Sequence, residues 1–247
     1  MSGHSKWSTI KRQKGAADIK RGIVFTKMTR EIMLAAREGG GNPEGNFRLR
    51  LAVDRARAVN MPHANIDRAI ERATGGGEGA QIESVLYEGY GPGGVSIMVE
   101  AATDNRNRTA PEIRAAFTRH GGKLGESGSV QWIFEQKGVI EIDAGGRSTD
   151  DIQLVAIDAG AEDVEVDGSL VTVYTTPTAF ERVKKAIEAA AIPIASAESS
   201  MRPSKSVRGE GDKARQVLAL VEGLEDLDDV QKVHANFDIP IEVLQNA

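Results

Sequence analysis

The chain has 247 residues, 40% of them hydrophobic and 27% charged, so it can bury two or three cores. With no cysteine it has no disulfide, thiolate nucleophile or Cys-based zinc site, and with no apolar run near 20 residues it offers no helical membrane span. The net charge of −5 hides an asymmetry: residues 1–75 carry 15 Lys+Arg against 7 Asp+Glu, and the remainder carries 16 against 29. A polyanion-binding piece joined to acidic domains is the expectation from that split.

The basic excess is densest in residues 2–30, where Lys6, Lys11, Arg12, Lys14, Lys20, Arg21, Lys27 and Arg30 face one acid, Asp18. Residues 1–18 lack the continuous apolar core of a secretory signal, and the basic run merges directly into a helical pattern, unlike a mitochondrial presequence. A cytoplasmic protein is expected. From residue 19 to 38, Phe25, Met28, Ile32, Ala35 and Ala36 fall on one stripe at helical spacing, and Gly39–Gly41 end the helix. A second helix over 46–60 turns Leu49, Ala52, Val53, Ala56 and Val59 inward. A third opens near Pro62 and places Ile66, Ala69, Ile70 and Ala73 at core spacing. Together they predict a three-helix bundle with a basic arm.

Gly75, Gly76, Gly77 and Gly79 mark a linker, after which the period changes from helical to alternating. Strands are predicted at 83–90 and 95–101, joined by the turn Gly91-Pro92-Gly93-Gly94. Thr109 with Glu112 reads as a capping box opening a helix through Ile113, Ala116 and Phe117. Val130, Trp132 and Phe134 alternate as a further strand. From Gly138 the order is strand 138–143, helix 149–159, a hairpin turning at Asp167-Gly168, helix 179–190 and strand 193–200, the β-α-β-β-α-β order of a ferredoxin-like sandwich. A last helix bearing Val217, Leu220, Val221 and Leu224 and a strand bearing Val233, Ala235 and Phe237 return to complete the earlier sheet. The expected fold class is therefore α+β in three domains: arm and bundle over 1–78, a discontinuous α+β domain over 79–136 plus 204–247, and an inserted ferredoxin-like domain over 137–203.

No catalytic or metal constellation emerges. His4, His63, His120 and His234 are far apart, and the glycine clusters at 89–94 and 121–128 lack both phosphate-loop spacings. No cofactor, small-molecule substrate or membrane partner is expected, and the chain reads as a non-enzyme. The arm is the best site. Each Lys or Arg that neutralises a phosphate releases counterions, and six to ten such contacts give binding that is salt-dependent and indifferent to sequence. Trp7 either stacks on an unpaired base or packs on the bundle, and His4 either donates to phosphate or does nothing. Arg106 and Arg108, in the junction 104–108, either meet a polyanion or pair with the acidic third domain, whose residues 139–200 hold 12 acids against 4 bases.

The segments GHSKWSTIKRQKGAADIKRGIVFTKMTREI, NMPHANIDRAI and TDNRNRTAPEIRAAFTRHGGKLGESGSVQWIF resemble the YebC/PmpR family, relatives of a mitochondrial translational activator of cytochrome oxidase. The similarity runs from residue 3 to about residue 245. It implies a three-domain, non-enzymatic regulator with one domain inserted in another. The family's long-standing label implies a DNA-binding transcriptional regulator. Its more recent placement implies a ribosome-associated translation factor that contacts ribosomal or transfer RNA and relieves stalling at proline-rich stretches. The arm, with one aromatic among cations, suits irregular RNA, and nothing in the helices fixes a helix-turn-helix or a dimer with defined half-sites.

Overall fold

The computed structural model describes residues 21–75, 82–209 and 211–238. The fold is α+β. The first twenty residues, the side chain of Arg21 and residues 76–81 lie outside that description, and with them His4, Lys6, Trp7, Lys11, Arg12, Lys14 and Lys20.

Three helices form the bundle: α1 (Arg21–Gly39), α2 (Phe47–Ala58) and α3 (His63–Thr74). Their shared core holds Ile32, Ala35, Ala36, Leu49, Ala52, Val53, Ala56, Ile66 and Ala69, the stripes expected from periodicity except for Val59, which follows the last residue of α2 as its C-cap and is exposed. Asn46 fixes the first corner. Its Oδ1 accepts from the Leu49 amide at 3.0 Å, capping α2, while its Nδ2 donates to the Ala35 carbonyl at 2.7 Å and the Gly40 carbonyl at 2.9 Å. One buried amide side chain thus satisfies groups at the end of one helix and the start of the next.

The larger sheet has the order β3-β1-β2-β9, with β1 (Glu83–Tyr90), β2 (Ser96–Thr103), β3 (Lys123–Leu124) and β9 (Val230–Ala235) all antiparallel to their neighbours. Gly93 and Gly94 in the β1–β2 turn both take positive φ, 76° and 79°, which accounts for the glycines there. On one face of the sheet lie α4 (Arg106–Arg119) and α7 (Gly211–Glu225), burying Val95, Ile97, Val99, Ile113, Phe117, Val217, Leu220, Val221 and Leu224. Helix α1 lies against β2 and β9. The final strand breaks after Ala235. Asn236 donates from Nδ2 to the Lys205 carbonyl, and β10 (Phe237–Asp238) pairs in parallel with β8 (Val207–Arg208).

Two expectations for this region are corrected. Helix α4 is not capped by Thr109; its cap lies four residues earlier at Asn105, whose side chain accepts from the Arg108 amide at 3.2 Å. Thr109 is 1% exposed and its hydroxyl points inward. The Val130–Phe134 alternation is not one strand: Gln131–Ile133 form a single 3-10 turn, and β4 (Phe134–Asp143) starts after it.

Gly89 is a point of close approach. A Cβ there would lie 2.6 Å from the ring of Phe117 and 2.7 Å from the Lys123 carbonyl oxygen, a fully buried ring and a backbone atom. Gly89→Ala is expected to lower stability by about 1–3 kcal/mol through overpacking. A denaturation midpoint equal to that of the native chain would refute that close approach.

The chain divides into two compact units, one formed by Phe134–Arg202 and the other by the described residues on either side of it. The bundle and the larger sheet share the second unit. The first contains β4, α5 (Thr149–Asp158), β5 (Asp163–Asp167), β6 (Leu170–Thr175), α6 (Phe180–Ala189) and β7 (Ser196–Pro203), with sheet order β5-β6-β4-β7. That is the ferredoxin-like order, with β6 antiparallel to both β4 and β5. Ser148 caps α5, and Asp150 and Asp151 in its first turn suit the helix dipole.

Candidate nucleic-acid interface

The cations singled out from sequence that lie among the described residues are Lys27, Arg30, Arg106 and Arg108, and all four have protein partners. On α1, Lys27 donates to the Glu225 carbonyl, and Arg30 donates to the Asp228 carbonyl and pairs with Asp229 at 2.8 Å. At the start of α4, Arg106 makes a two-pronged bridge to Glu83, with both contacts at 2.6 Å. Arg108 reaches Asp104 at 2.9 Å and Asp229 at 2.7 Å. Arg106 and Arg108 therefore pair with carboxylates of their own domain, Glu83, Asp104 and Asp229, rather than with the acidic inserted one.

Asp229 is the centre of this arrangement. It is 2% exposed and accepts from Arg30, Arg108, Thr103 Oγ1 and Thr109 Oγ1. Burial opposes its ionisation. The hydrogen bonds from Thr109 and Arg108 and the charges of Arg30 and Arg108 outweigh that opposition and hold its carboxyl below the ordinary aspartate value. One carboxylate thus ties the bundle, β2 and α4 to the turn before β9.

Most of the bundle's other arginines are also engaged. Arg48 pairs with Glu38, Arg55 with Glu31 at 2.6 Å, and Arg50 donates to the Pro43 carbonyl at 2.9 Å while lying over the Phe47 ring. Arg57 lies 3.3 Å from His63 Nε2 and 4.0 Å from Asp54. Among the described residues, cations without a hydrogen-bonding or ionic side-chain partner include Arg72 on α3, Arg114 and Arg119 on α4, Lys123 on β3, and Lys213 and Arg215 on α7. A cleft of about 810 Å³ opens between α1, α3 and the ends of β1 and β2, lined by Phe25, Met33, Ile82, Arg30, Arg37 and Arg72. Arg37 is tied there to the Ile82 carbonyl at 2.9 Å.

A second buried carboxylate organises the loop after β3. Glu88 is 3% exposed and accepts the amides of Gly128, Val130 and Gln131 at 2.6, 2.7 and 2.8 Å. Burial works against its charge, but the three backbone donors prevail and lower its pKa. The loop so held carries Trp132, 71% exposed, beside Tyr90, 41% exposed. Sequence reading missed this pair, because Trp132 fitted an alternating pattern. The turn-forming run Gly125-Glu126-Ser127-Gly128 just before it was the available signal against a strand.

Comparison with known proteins matches this architecture along almost its whole length. Residues 5–76 match the TACO1/YebC protein N-terminal domain, and residues 82–237 match the TACO1/YebC second and third domain. The chain belongs to the TACO1/YebC family. Relatives named probable transcriptional regulatory protein include one from Chloroflexus aggregans, 54% identical over 99% of this chain and 98% of its own length. Another, from Dictyoglomus thermophilum, is 53% identical over 100% and 99%. The crystal structure of a conserved hypothetical protein from Aquifex aeolicus superposes with a TM-score of 0.85 at 47% identity, covering 92% of this chain and 94% of that one.

Among the described residues of this TACO1/YebC chain, no group of three or more His, Asp or Glu side chains is placed to hold a metal ion. None of the described helices is long and apolar enough to cross a membrane.

Proposed function

We propose that the chain is a non-enzymatic regulator of gene expression that binds nucleic acid through its basic arm, acting in the cytoplasm. The observation that carries this reading is the ratio of eight cations to one acid in residues 2–30, at the head of a chain that is acidic elsewhere. The relatives' names point to control of transcription, a role for which duplex DNA is the polymer we propose. The pairing of Arg30, Arg106 and Arg108 narrows the contact surface, because guanidiniums held by buried or bridging carboxylates are poor phosphate ligands. Residues 4–21 therefore carry most of the proposed contact, through His4, Lys6, Trp7, Lys11, Arg12, Lys14, Lys20 and Arg21.

A second reading, an RNA-binding factor of the ribosome, is favoured by the bundle's arginine pairing. Base readout in the major groove needs an exposed helix with available Arg, Asn or Gln side chains. In α2 the arginines are engaged with Glu38, Glu31, Asp54 and backbone carbonyls. Contact with phosphates and unpaired bases does not need such a helix.

Binding of either polymer is expected to fall on the order of 10³-fold between 50 and 200 mM salt, as for six or more phosphate contacts. Fluorescence anisotropy across that range checks it, and a flat salt dependence would remove the arm as the contact. Purifying the tagged protein from cells at moderate salt and sequencing what remains attached separates the two readings. Promoter fragments without ribosomal RNA would support the first, and ribosomal RNA without promoter fragments the second.

A further inference from the structure

We infer that Tyr90 and Trp132 form a stacking platform for an unpaired nucleobase, a second contact on the α+β domain separate from the basic arm. The inference rests on the nucleic-acid reading above and adds to it a site and a ligand class.

The two rings are held from one point. The Tyr90 hydroxyl donates to the Ser129 carbonyl at 3.0 Å and Trp132 Nε1 donates to the same oxygen at 3.2 Å. A carbonyl has two lone pairs and can accept both. Ser129 is itself fixed, because the amides of Gly128, Val130 and Gln131 around it converge on the Glu88 carboxylate, and the Gly125 amide is held by the Glu88 carbonyl at 2.8 Å. The rings are thus anchored at their polar edges, while much of their surface remains open to water.

That orientation argues for a base rather than a protein. Interface Tyr and Trp usually offer a hydroxyl or N–H to the partner; here both donors are satisfied within the loop, and the π-surfaces are what remains to offer. The other exposed large hydrophobics of the described residues in this unit reduce to Val59 on the bundle, so the platform has no surrounding apolar field. A stable protein interface needs roughly 800 Å² per partner, far more than two rings supply, whereas one or two bases need no more. Lys123 stands directly opposite Tyr90 in the β1–β3 register, and cross-strand partners project to the same face. It is exposed, and no ionic or hydrogen-bonding side-chain partner engages it among the described residues. It is therefore placed to meet the phosphate that accompanies a stacked base. Glu126, exposed on the same loop, offsets part of that charge, so stacking supplies most of the attraction.

The two contacts consequently differ in salt dependence, and this separates them experimentally. In a full-length Trp7→Phe background, Trp132 is the only tryptophan. Its fluorescence should be quenched by a 12-nucleotide single-stranded RNA and much less by the same sequence as a duplex. Trp132→Ala, compared by anisotropy in the otherwise native chain, should weaken single-strand binding about 10-fold with an unchanged salt slope. Trp132→Phe should recover most of the loss, and neither variant should shift the denaturation midpoint appreciably. The platform is overturned if Trp132→Ala binds the single strand as the native chain does. It is equally overturned if the emission responds to RNA-free ribosomal proteins and not to the oligonucleotide. Should Trp132→Ala be silent while arm variants lose binding, the platform fails and the proposed function stands. If the native chain binds no nucleic acid at all, both fail together.

Discussion

Replacing Asp229 with Ala should destabilise the protein by about 3–5 kcal/mol, the range for removing one partner of a buried ion pair. The loss would come less from the missing attraction than from what is left behind. Arg30, only 16% exposed at its side chain, would keep its charge without its carboxylate, and the hydroxyls of Thr103 and Thr109 would lose an acceptor. Asp229→Asn keeps the shape and an acceptor oxygen but not the charge, and should fall between Ala and native. Because Arg30 and Lys27 dock α1 onto residues 225–229, the same change should loosen the bundle from the sheet before either unfolds. Chemical denaturation gives the stability, and amide exchange in α1 gives the loosening. A loss below about 1 kcal/mol would mean that the released guanidiniums find water without difficulty, and the role assigned to Asp229 would be wrong.

The same carboxylate predicts a response to acid. Its folded pKa lies below the ordinary 3.8, so the stability it contributes is complete above that value and is lost as pH falls through the folded pKa. Two glutamates act in the same direction. Glu88 is held down by three backbone amides. Glu100 is opposed by burial but stabilised by His234 Nε2 at 2.8 Å, with the charges of His234, Lys232 and Arg48 adding to it. Both fall below the ordinary 4.5, so acid should unfold this unit over the range below about pH 4.5. In Asp229→Asn the acid transition should be shallower, since one of its protonation steps is gone.

How much of this was legible in the sequence depended on range. Local periodicity was enough for the bundle, because Ile32, Ala35 and Ala36 fall on one stripe whatever lies elsewhere in the chain. It was enough for β2 as well, where Val95, Ile97, Val99 and Ala101 alternate toward the helices, and for the order of the ferredoxin-like unit. The polar hub was not legible. Thr109 and Asp229 are 120 residues apart, and Arg30 is farther still from its carboxylate. No spacing rule relates them. The capping-box pattern at Thr109 even pointed the wrong way, because the hydroxyl it would place at a helix N-terminus is the one that Asp229 requires inside. The same limit left Arg106 and Arg108 open between a polyanion and a carboxylate partner: composition counts charges, and only tertiary structure shows which carboxylates they meet.

Reversing the charge of Lys11, Arg12 and Lys14 together should weaken nucleic-acid binding by at least about 100-fold at physiological salt. It should also reduce the salt slope by about three, one for each phosphate contact removed. The fold should be unaffected, since residues 2–18 contain few apolar side chains and no run that could form part of a core. Each Lys or Arg to Glu change alters the charge by two, so the triple variant takes the net charge from −5 to −11, and that alone would repel a polyanion. The control must therefore carry the same total. Arg147, Lys185 and Lys205, all exposed and none of them among the proposed contact residues, changed together to Glu give the same −11. If the long-range field governs binding, the two triple variants lose affinity alike and the arm has no special standing. If direct phosphate contact governs it, the control keeps its salt slope and loses only the modest part that screening leaves at 0.15 M, where charges more than about 8 Å apart interact weakly.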